Sequence, residues 1–270
     1  MDVLLTGASG TVGTAIREHL DHDFTLLDKR EDDALDVVAD VTDYDAIRPA
    51  FDGQDAVVHL AEYPATDASE DVAFDNMRGT ATVLRAARDA GVEQIVYASS
   101  NHAQGMYEID NAPAVYDPEF DLVVDHTDPV RPDSFYGTAK VFGEAIGRQY
   151  VELYDDGPEQ FHALRICSVR GDEYDHPTGD ADRGVDDGRF ERESDEYEAT
   201  AARMRAMWHS RRDAAQLVEC CLQHDAPGFD VFYGVSDNSA RWFDLDHARE
   251  TIGYEPLDSG DEGRDESGQA

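Results

Sequence analysis

Tyr136 and Lys140 stand four residues apart in Ser134-Phe-Tyr-Gly-Thr-Ala-Lys140, at the opening of a segment that reads as a helix from Gly137 to Tyr154. On a helix that spacing puts both side chains on one face, one turn apart. A phenol beside a permanent cation gains a stabilised phenolate, which makes Tyr136 a candidate general base near neutral pH. Only two lysines occur in the chain, Lys29 and Lys140, so a cation has been kept here by a sequence that otherwise uses arginine. Tyr-x-x-x-Lys is a short pattern, and its weight depends on what surrounds it.

A second group lies near the start of the chain. Val3 to Thr6 reads as a short apolar strand, Gly7-Ala-Ser-Gly10-Thr11-Val12-Gly13 follows, and a helical run continues to Leu20. Glycines so spaced between strand and helix let the backbone turn tightly and approach a pyrophosphate, which the positive helix end attracts. Phe24 to Asp28 reads as the next strand. It ends in an acid about 20 residues past the glycines, where a carboxylate bonds the adenosine ribose and favours NAD. Lys29 and Arg30 follow at once and could instead clamp a 2′-phosphate, which leaves NADP as the alternative.

These residues need a frame. Val37 to Val41, Asp55 to Ala61, Glu93 to Ser100, Phe161 to Ser168 and Asp230 to Val235 read as further strands. Ala46 to Phe51, Val72 to Ala90 (stopping at Gly91), Ala201 to Trp208, Asp213 to Leu222 and Asp244 to Ile252 read as helices. The alternation predicts an α/β chain with a doubly wound parallel sheet, and such sheets hold ligands at the carboxyl ends of their strands. Thr6, Asp28, His59 and Ser99-Ser100 all fall at strand ends, and Asp40-Val41 would lie beside the adenine. We divide the chain into a dinucleotide-binding core over 1–168 and a small substrate-binding region over 169–257 that returns one strand to the core. Residues 171–200 are crowded with Asp, Glu and Gly and predict a mobile acidic insertion. Residues 258–270 read as a disordered acidic tail.

Sixty acidic residues against twenty-two basic ones give a formal charge of −38, spread along the whole chain. Such a surface repels itself and also repels nucleic acid and anionic membranes. Molar salt cuts the Debye length to roughly 3 Å and relieves the strain. The composition therefore resembles that of a halophilic cytosolic protein, expected to lose its structure in low salt. No basic, apolar leader and no apolar run of membrane-spanning length is present, and Cys167, Cys220 and Cys221 make no disulfide framework. A soluble, cytoplasmic protein is the expectation.

With its motifs placed, the chain resembles the extended short-chain dehydrogenase/reductase family, whose NAD-binding core is the Rossmann fold. The resemblance rests on Thr6-Gly-x-x-Gly-x-x-Gly13, Asp40-Val41, His59-Leu60-Ala61, Asn76-x-x-Gly79-Thr80, Ser99-Ser100, Tyr136-x-x-x-Lys140 and Leu245 to Pro256. Within the family it is similar to the small sugar 1-dehydrogenases, those acting on uronates, on glucose 6-phosphate and on pentoses. Ala98-Ser-Ser-Asn-His102, Met207-Trp208-x-Ser210, Glu219-Cys-Cys-Leu222 and Tyr233-Gly-Val-Ser-Asp-Asn238 carry that closer likeness. It implies Tyr136 as base, Lys140 as its neighbour and a contact of the nicotinamide ribose, and Ser100 as the catalytic serine. It also implies that Asn101, His102, Ser168 and Arg203 face a sugar, Arg203 gripping an anionic group. Gly7, Gly10, Thr11, Val12, Gly13, Asp28, Lys29, Asp40, Val41, Leu60, Ala61 and Asn76 would line the cofactor. The implied reaction is oxidation of a sugar C1 hydroxyl to a lactone with NAD, without a metal, in an enzyme whose relatives commonly form homo-oligomers. A nucleotide-sugar epimerase or dehydratase on the same scaffold is the alternative, and a cofactor-sensing binding protein is a third reading.

Overall fold

The structure, a computed structural model, describes residues 1–261. Seven parallel strands form one sheet in the order β3-β2-β1-β4-β5-β6-β7. They are β1 (Asp2–Thr6), β2 (Asp23–Asp28), β3 (Val37–Val38), β4 (Ala56–His59), β5 (Gln94–Ser100), β6 (Gln160–Ile166) and β7 (Gly228–Gly234). The main helices are α1 (Thr11–His19), α2 (Tyr44–Ile47), α3 (Glu70–Ala90), α4 (Met106–Asn111) and α5 (Phe135–Leu153). They continue with α6 (Gly179–Asp186), α7 (Asp195–Met207), α8 (Arg211–Leu222) and α9 (Asp246–Ile252).

The central strands are covered on both faces, as parallel sheets require. On one face Leu4, Val57, Ile95 and Phe161 pack with Val83, Leu84 and Ala87 of α3. On the other, Val3, Leu5, Val58, Val96 and Phe232 pack with Ile16 of α1 and Leu217, Val218 and Cys221 of α8. Successive strand residues therefore serve opposite cores, which explains the near-continuous apolar runs. The order of the sheet reverses between β1 and β4, so their carboxyl ends open the crevice where a ligand enters.

Two boundary expectations change. Residues 171–200 are built into α6 and the start of α7, with Ala181, Tyr197 and Ala201 buried against Val185 and Phe190. A few apolar side chains suffice there because ion pairs flank them, Arg170 with Asp180 at 2.6 Å and Arg192 with Asp182 at 2.6 Å. Residues 258–261 are tied down by polar contacts: Asp258 N–H donates to buried Asp213 and Gly260 N–H to buried Asn238. The rest of the expected disordered tail lies outside the described residues. Among the described residues no helix is long and apolar enough to cross a membrane.

Three buried histidines couple this fold to pH. Burial pushes His59 and His209 down to about 3 and His162 down to about 4. Between the ordinary histidine value near 6.5 and those depressed values, the unfolded chain binds protons that the folded chain refuses, so stability falls as pH falls. Asp133 and Asp180, held below the ordinary carboxylate range despite their burial by His102 and Arg170 respectively, act in the same direction lower down. Asp213, raised by burial, opposes them. In molar KCl, where surface repulsion is screened, the urea midpoint is expected to drop from pH 7 to pH 4.5; an unchanged or higher midpoint at pH 4.5 would contradict this.

Candidate active site

The glycine loop after β1 is shaped by close approach. Gly7 has φ +73°, and a Cβ there would stand 2.8 Å from the Ala61 backbone nitrogen, so no side chain fits between the ends of β1 and β4. Gly10 precedes the first turn of α1, whose N-terminus faces the crevice. Asp28, at the end of β2 and 5% exposed, accepts the Ser9 N–H at 3.1 Å and so holds the loop as well as facing the cleft. Arg30 lies 3.6 Å from Asp28, while Lys29 is exposed.

Asp40 accepts the N–H and hydroxyl of Thr42, and those bonds hold its carboxyl below the ordinary range. Val41 packs beside Gly79 of α3. Asn76 exchanges hydrogen bonds with the backbone of Tyr63 and thereby fixes the loop after β4.

Helix α5 brings the Tyr136 and Lys140 side chains over the strand ends. Ser134 caps it by accepting the Gly137 N–H at 3.0 Å. Gly143 lets the helix lie directly on Tyr97 of β5, since a Cβ there would meet the ring at 2.3 Å. Tyr136 and Lys140 are both buried, with the Lys140 Nζ 5.3 Å from the Tyr136 ring centroid. The four-residue spacing therefore does set the ammonium beside the phenol. Lys140 also donates to the Ala98 carbonyl and pairs with Glu62 at 2.9 Å, both side chains under 5% exposed. Burial alone would lower Lys140, but the carboxylate of Glu62 and the nearby Tyr136 outweigh it, and the ammonium is held above the ordinary lysine range. Glu62 in turn accepts the hydroxyls of Tyr97 at 2.8 Å and Thr80 at 3.0 Å. His59, beneath them, stays neutral and meets the Thr6 hydroxyl at 2.8 Å.

Ser100, Asn101 and His102 follow the end of β5. The Ser100 Oγ accepts the His102 N–H at 3.2 Å, and the buried Asn101 Nδ2 has no partner of its own. His102 meets Asp133 at 2.6 Å and packs edge-on against Tyr136. Below, Arg165 bonds Glu144 through two nitrogens and reaches Gln104, locking the turn after β5 to α5 and β6.

All of these residues except the supporting ones border one cleft of about 1170 Å³. It runs from Gly7, Gly10, Thr11, Val12, Gly13 and Asp28 past Leu60, Ala61 and Asn76 to Ser100, Tyr136 and Lys140. Beyond β6 it is lined by Ser168, Arg170, Arg183 and Arg203. Arg203 is not a free anion grip: it forms a two-pronged pair with Glu108 of α4, at 2.5 and 3.1 Å. Glu62, Asp133, Glu108 and Arg183 escaped the sequence reading. Glu62 directly follows a strand-end motif and Asp133 directly precedes a helix cap, which are the only local signals either had.

A glycine cradle that a side chain would fill, a helix N-terminus and a ribose-side carboxylate fit a dinucleotide, and a buried Tyr–Lys pair stands farther along the same crevice. Fold and site together define a dinucleotide-binding Rossmann protein. The comparisons with known proteins make this specific: residues 3–228 match the NAD dependent epimerase/dehydratase family, and the chain belongs to it. It is 37% identical to an NAD-dependent glucose-6-phosphate dehydrogenase of Haloferax volcanii, over 95% of this chain and 93% of that protein. It is 36% identical to an L-arabinose 1-dehydrogenase (NAD(P)(+)) of the same organism, over 95% and 96%. A solved mutant of the uronate dehydrogenase of Agrobacterium tumefaciens, complexed with NAD, superposes with a TM-score of 0.74 at 25% identity, covering 98% of this chain and 87% of that chain.

Proposed function

We propose that the protein is an NAD-dependent dehydrogenase that oxidises the C1 hydroxyl of an aldose to the lactone, with an anionic aldose such as a sugar phosphate as substrate. The observation that carries this reading is the buried Tyr136–Lys140 pair placed between the Gly7 loop and a cluster of arginines in one cleft. Gly7 to Gly13, Asp28, Asp40 and Asn76 line or shape the cofactor's share, and Lys140, which borders the same cleft, would contact the nicotinamide ribose. Bound there, NAD supplies the hydride acceptor. Ser100 and the unpartnered Asn101 Nδ2 hold the sugar hydroxyl, and Tyr136 takes its proton. The acceptor in this step is the Tyr136 phenolate oxygen, which becomes a neutral phenol, and Lys140 places its positive charge beside that ring. C1 gives up its hydrogen with the bonding pair, O1 its proton, and the C1–O1 bond becomes a carbonyl.

The anionic substrate follows from charge. Arg170, Arg183 and Arg203 line one part of the cleft with Asp180 and Glu108 as their direct counter-ions, a local excess of cation in a chain of formal charge −38. Arg170 and Arg203 spend two nitrogens each on a carboxylate, whereas Arg183 is 43% exposed and keeps a buried Nε without a partner. Arg183 is therefore the arginine most able to meet a phosphate or carboxylate. Arg183→Ala is expected to raise KM for the preferred anionic sugar by about 10-fold, with a far smaller effect on a neutral pentose. A screen of aldoses, uronates and sugar phosphates with NAD and NADP in molar salt supplies both substrates. Equal effects on both, or no turnover of anionic sugars, would overturn the assignment.

Two finer points belong to the same reading. The pervasive acidity, and relatives from Haloferax volcanii, support a halophilic enzyme working in a salt-rich cytoplasm. Net NADH formation from a free aldose separates a dehydrogenase from an epimerase, which regenerates its own cofactor.

A further inference from the structure

His126, Asp230 and His247 form a cluster at the β7 edge of the sheet, and none of them borders the cleft. His126 sits on the segment before α5, Asp230 on β7 and His247 in the first turn of α9, so three distant stretches of chain meet there. One donor atom from each, two imidazole nitrogens and a carboxylate oxygen, lie within 4.8 Å of one another. The His247 Nε2 meets Asp230 at 2.8 Å, and its other nitrogen is 3.3 Å from the Thr251 hydroxyl, which orients the ring. The His126 ring stacks on His247 with centroids 3.7 Å apart and 14° between planes. Its Nδ1 is buried with no partner. The charged groups acting most on His126 are His247 and three carboxylates, Asp230, Asp125 and Asp244, with no arginine or lysine among them.

Two imidazoles packed face to face, one with an orphaned buried nitrogen, gain little from each other. In a field of carboxylates they have what a cation needs. We propose that His126, Asp230 and His247 bind a divalent transition-metal ion of the Zn²⁺ or Co²⁺ type. Nitrogen donors favour such ions over Mg²⁺ and Ca²⁺, which take oxygen ligands. Bonds of about 2.0–2.2 Å in a tetrahedral site put donors roughly 3.4 Å apart. The donors, now within 4.8 Å of one another, draw together by up to about 1.4 Å on binding, and the two stacked rings part to turn their nitrogens to the ion. The ion takes no part in hydride transfer. It clasps the segment that runs from Val124, bridged to Phe243, through Asp128, whose carbonyl accepts from Gln104, to Asp133 beside His102 and the Ser134 cap of α5.

The test titrates the full chain, folded in molar KCl, with Co²⁺ followed by its visible absorption and with Zn²⁺ by calorimetry. One ion per chain is expected, with a rise in Tm on loading. H126Q, on a surface segment, should weaken binding at least about 10-fold while far-UV circular dichroism and turnover without added metal stay unchanged. H247Q should weaken it likewise, and its circular dichroism reports whether that variant folds. Absence of binding at millimolar Co²⁺ and Zn²⁺ would overturn the proposal. So would binding that H126Q leaves intact, or Mg²⁺ competing on equal terms, since each would mean that surface carboxylates alone hold the ion.

Discussion

Tyr136→Phe is expected to lower kcat by about 10²–10⁴-fold or more while leaving the affinity for NAD within a few-fold of the parent. The substitution removes one oxygen and nothing else. The ring still packs against His102, and Lys140 keeps Glu62 and the Ala98 carbonyl. Folding and cofactor binding should therefore survive, because the Gly7 loop and Asp28 do not touch the lost hydroxyl. Only the proton acceptor goes, and Ser100 cannot replace it, since a serine hydroxyl next to a backbone N–H has no charge to offer. Steady-state rates and fluorescence titration with NADH give the two numbers. Appreciable turnover in the variant would remove Tyr136 from the mechanism, whereas loss of both rate and NAD binding would point to a structural role instead.

The second large effect concerns Glu62, the carboxylate that directly follows His59-Leu60-Ala61. Glu62→Ala is expected to destabilise the protein by about 3–5 kcal/mol, because it strands the Lys140 ammonium in a buried site with no counter-charge. Two hydroxyls, of Tyr97 and Thr80, lose their acceptor at the same time. With the main opposition to burial gone and only the weaker pull of Tyr136 and Glu144 left, Lys140 falls from its raised position, and the pH dependence of kcat should change with it. Urea unfolding of Glu62→Ala, Lys140→Met and the double variant separates the charge effect from simple loss of packing. The double variant should be less destabilised than the sum of the two single ones, since no charge is left unpaired. Strict additivity would show that the pair has no coupling and that Glu62 matters only for its hydroxyl partners.

Much of the scaffold was legible because it obeys short-range rules. Apolar runs broken by glycine and acid gave the strands, Gly91 marked a helix end, and Tyr136 and Lys140 needed only a helical pitch to meet, although their helix starts at Phe135 and not at Gly137. Residues 171–200 misled for the opposite reason. Their composition suits disorder, yet Ala181, Phe190 and Tyr197 find partners within the segment, and its acids find arginines. Composition counts charges without knowing which ones meet. Arg203 shows the same limit: its neighbour Glu108 lies 95 positions away, and the pairing that occupies it cannot be seen along the chain.

The residue order by itself determined the alternation of strand and helix, the glycine turn before α1, the acid closing β2 and the pairing of a phenol with a lysine one turn on. Each of these depends on neighbours within a few positions, where backbone geometry leaves little choice. Tertiary structure alone decided that Glu62 would pair with the Lys140 ammonium, that Arg183 would reach the cleft from the acidic segment, and that His126, Asp230 and His247 would meet at the sheet edge. Contacts of that kind depend on how parallel strands are ordered and how crossovers return, so side chains far apart in sequence become neighbours only when the sheet is assembled.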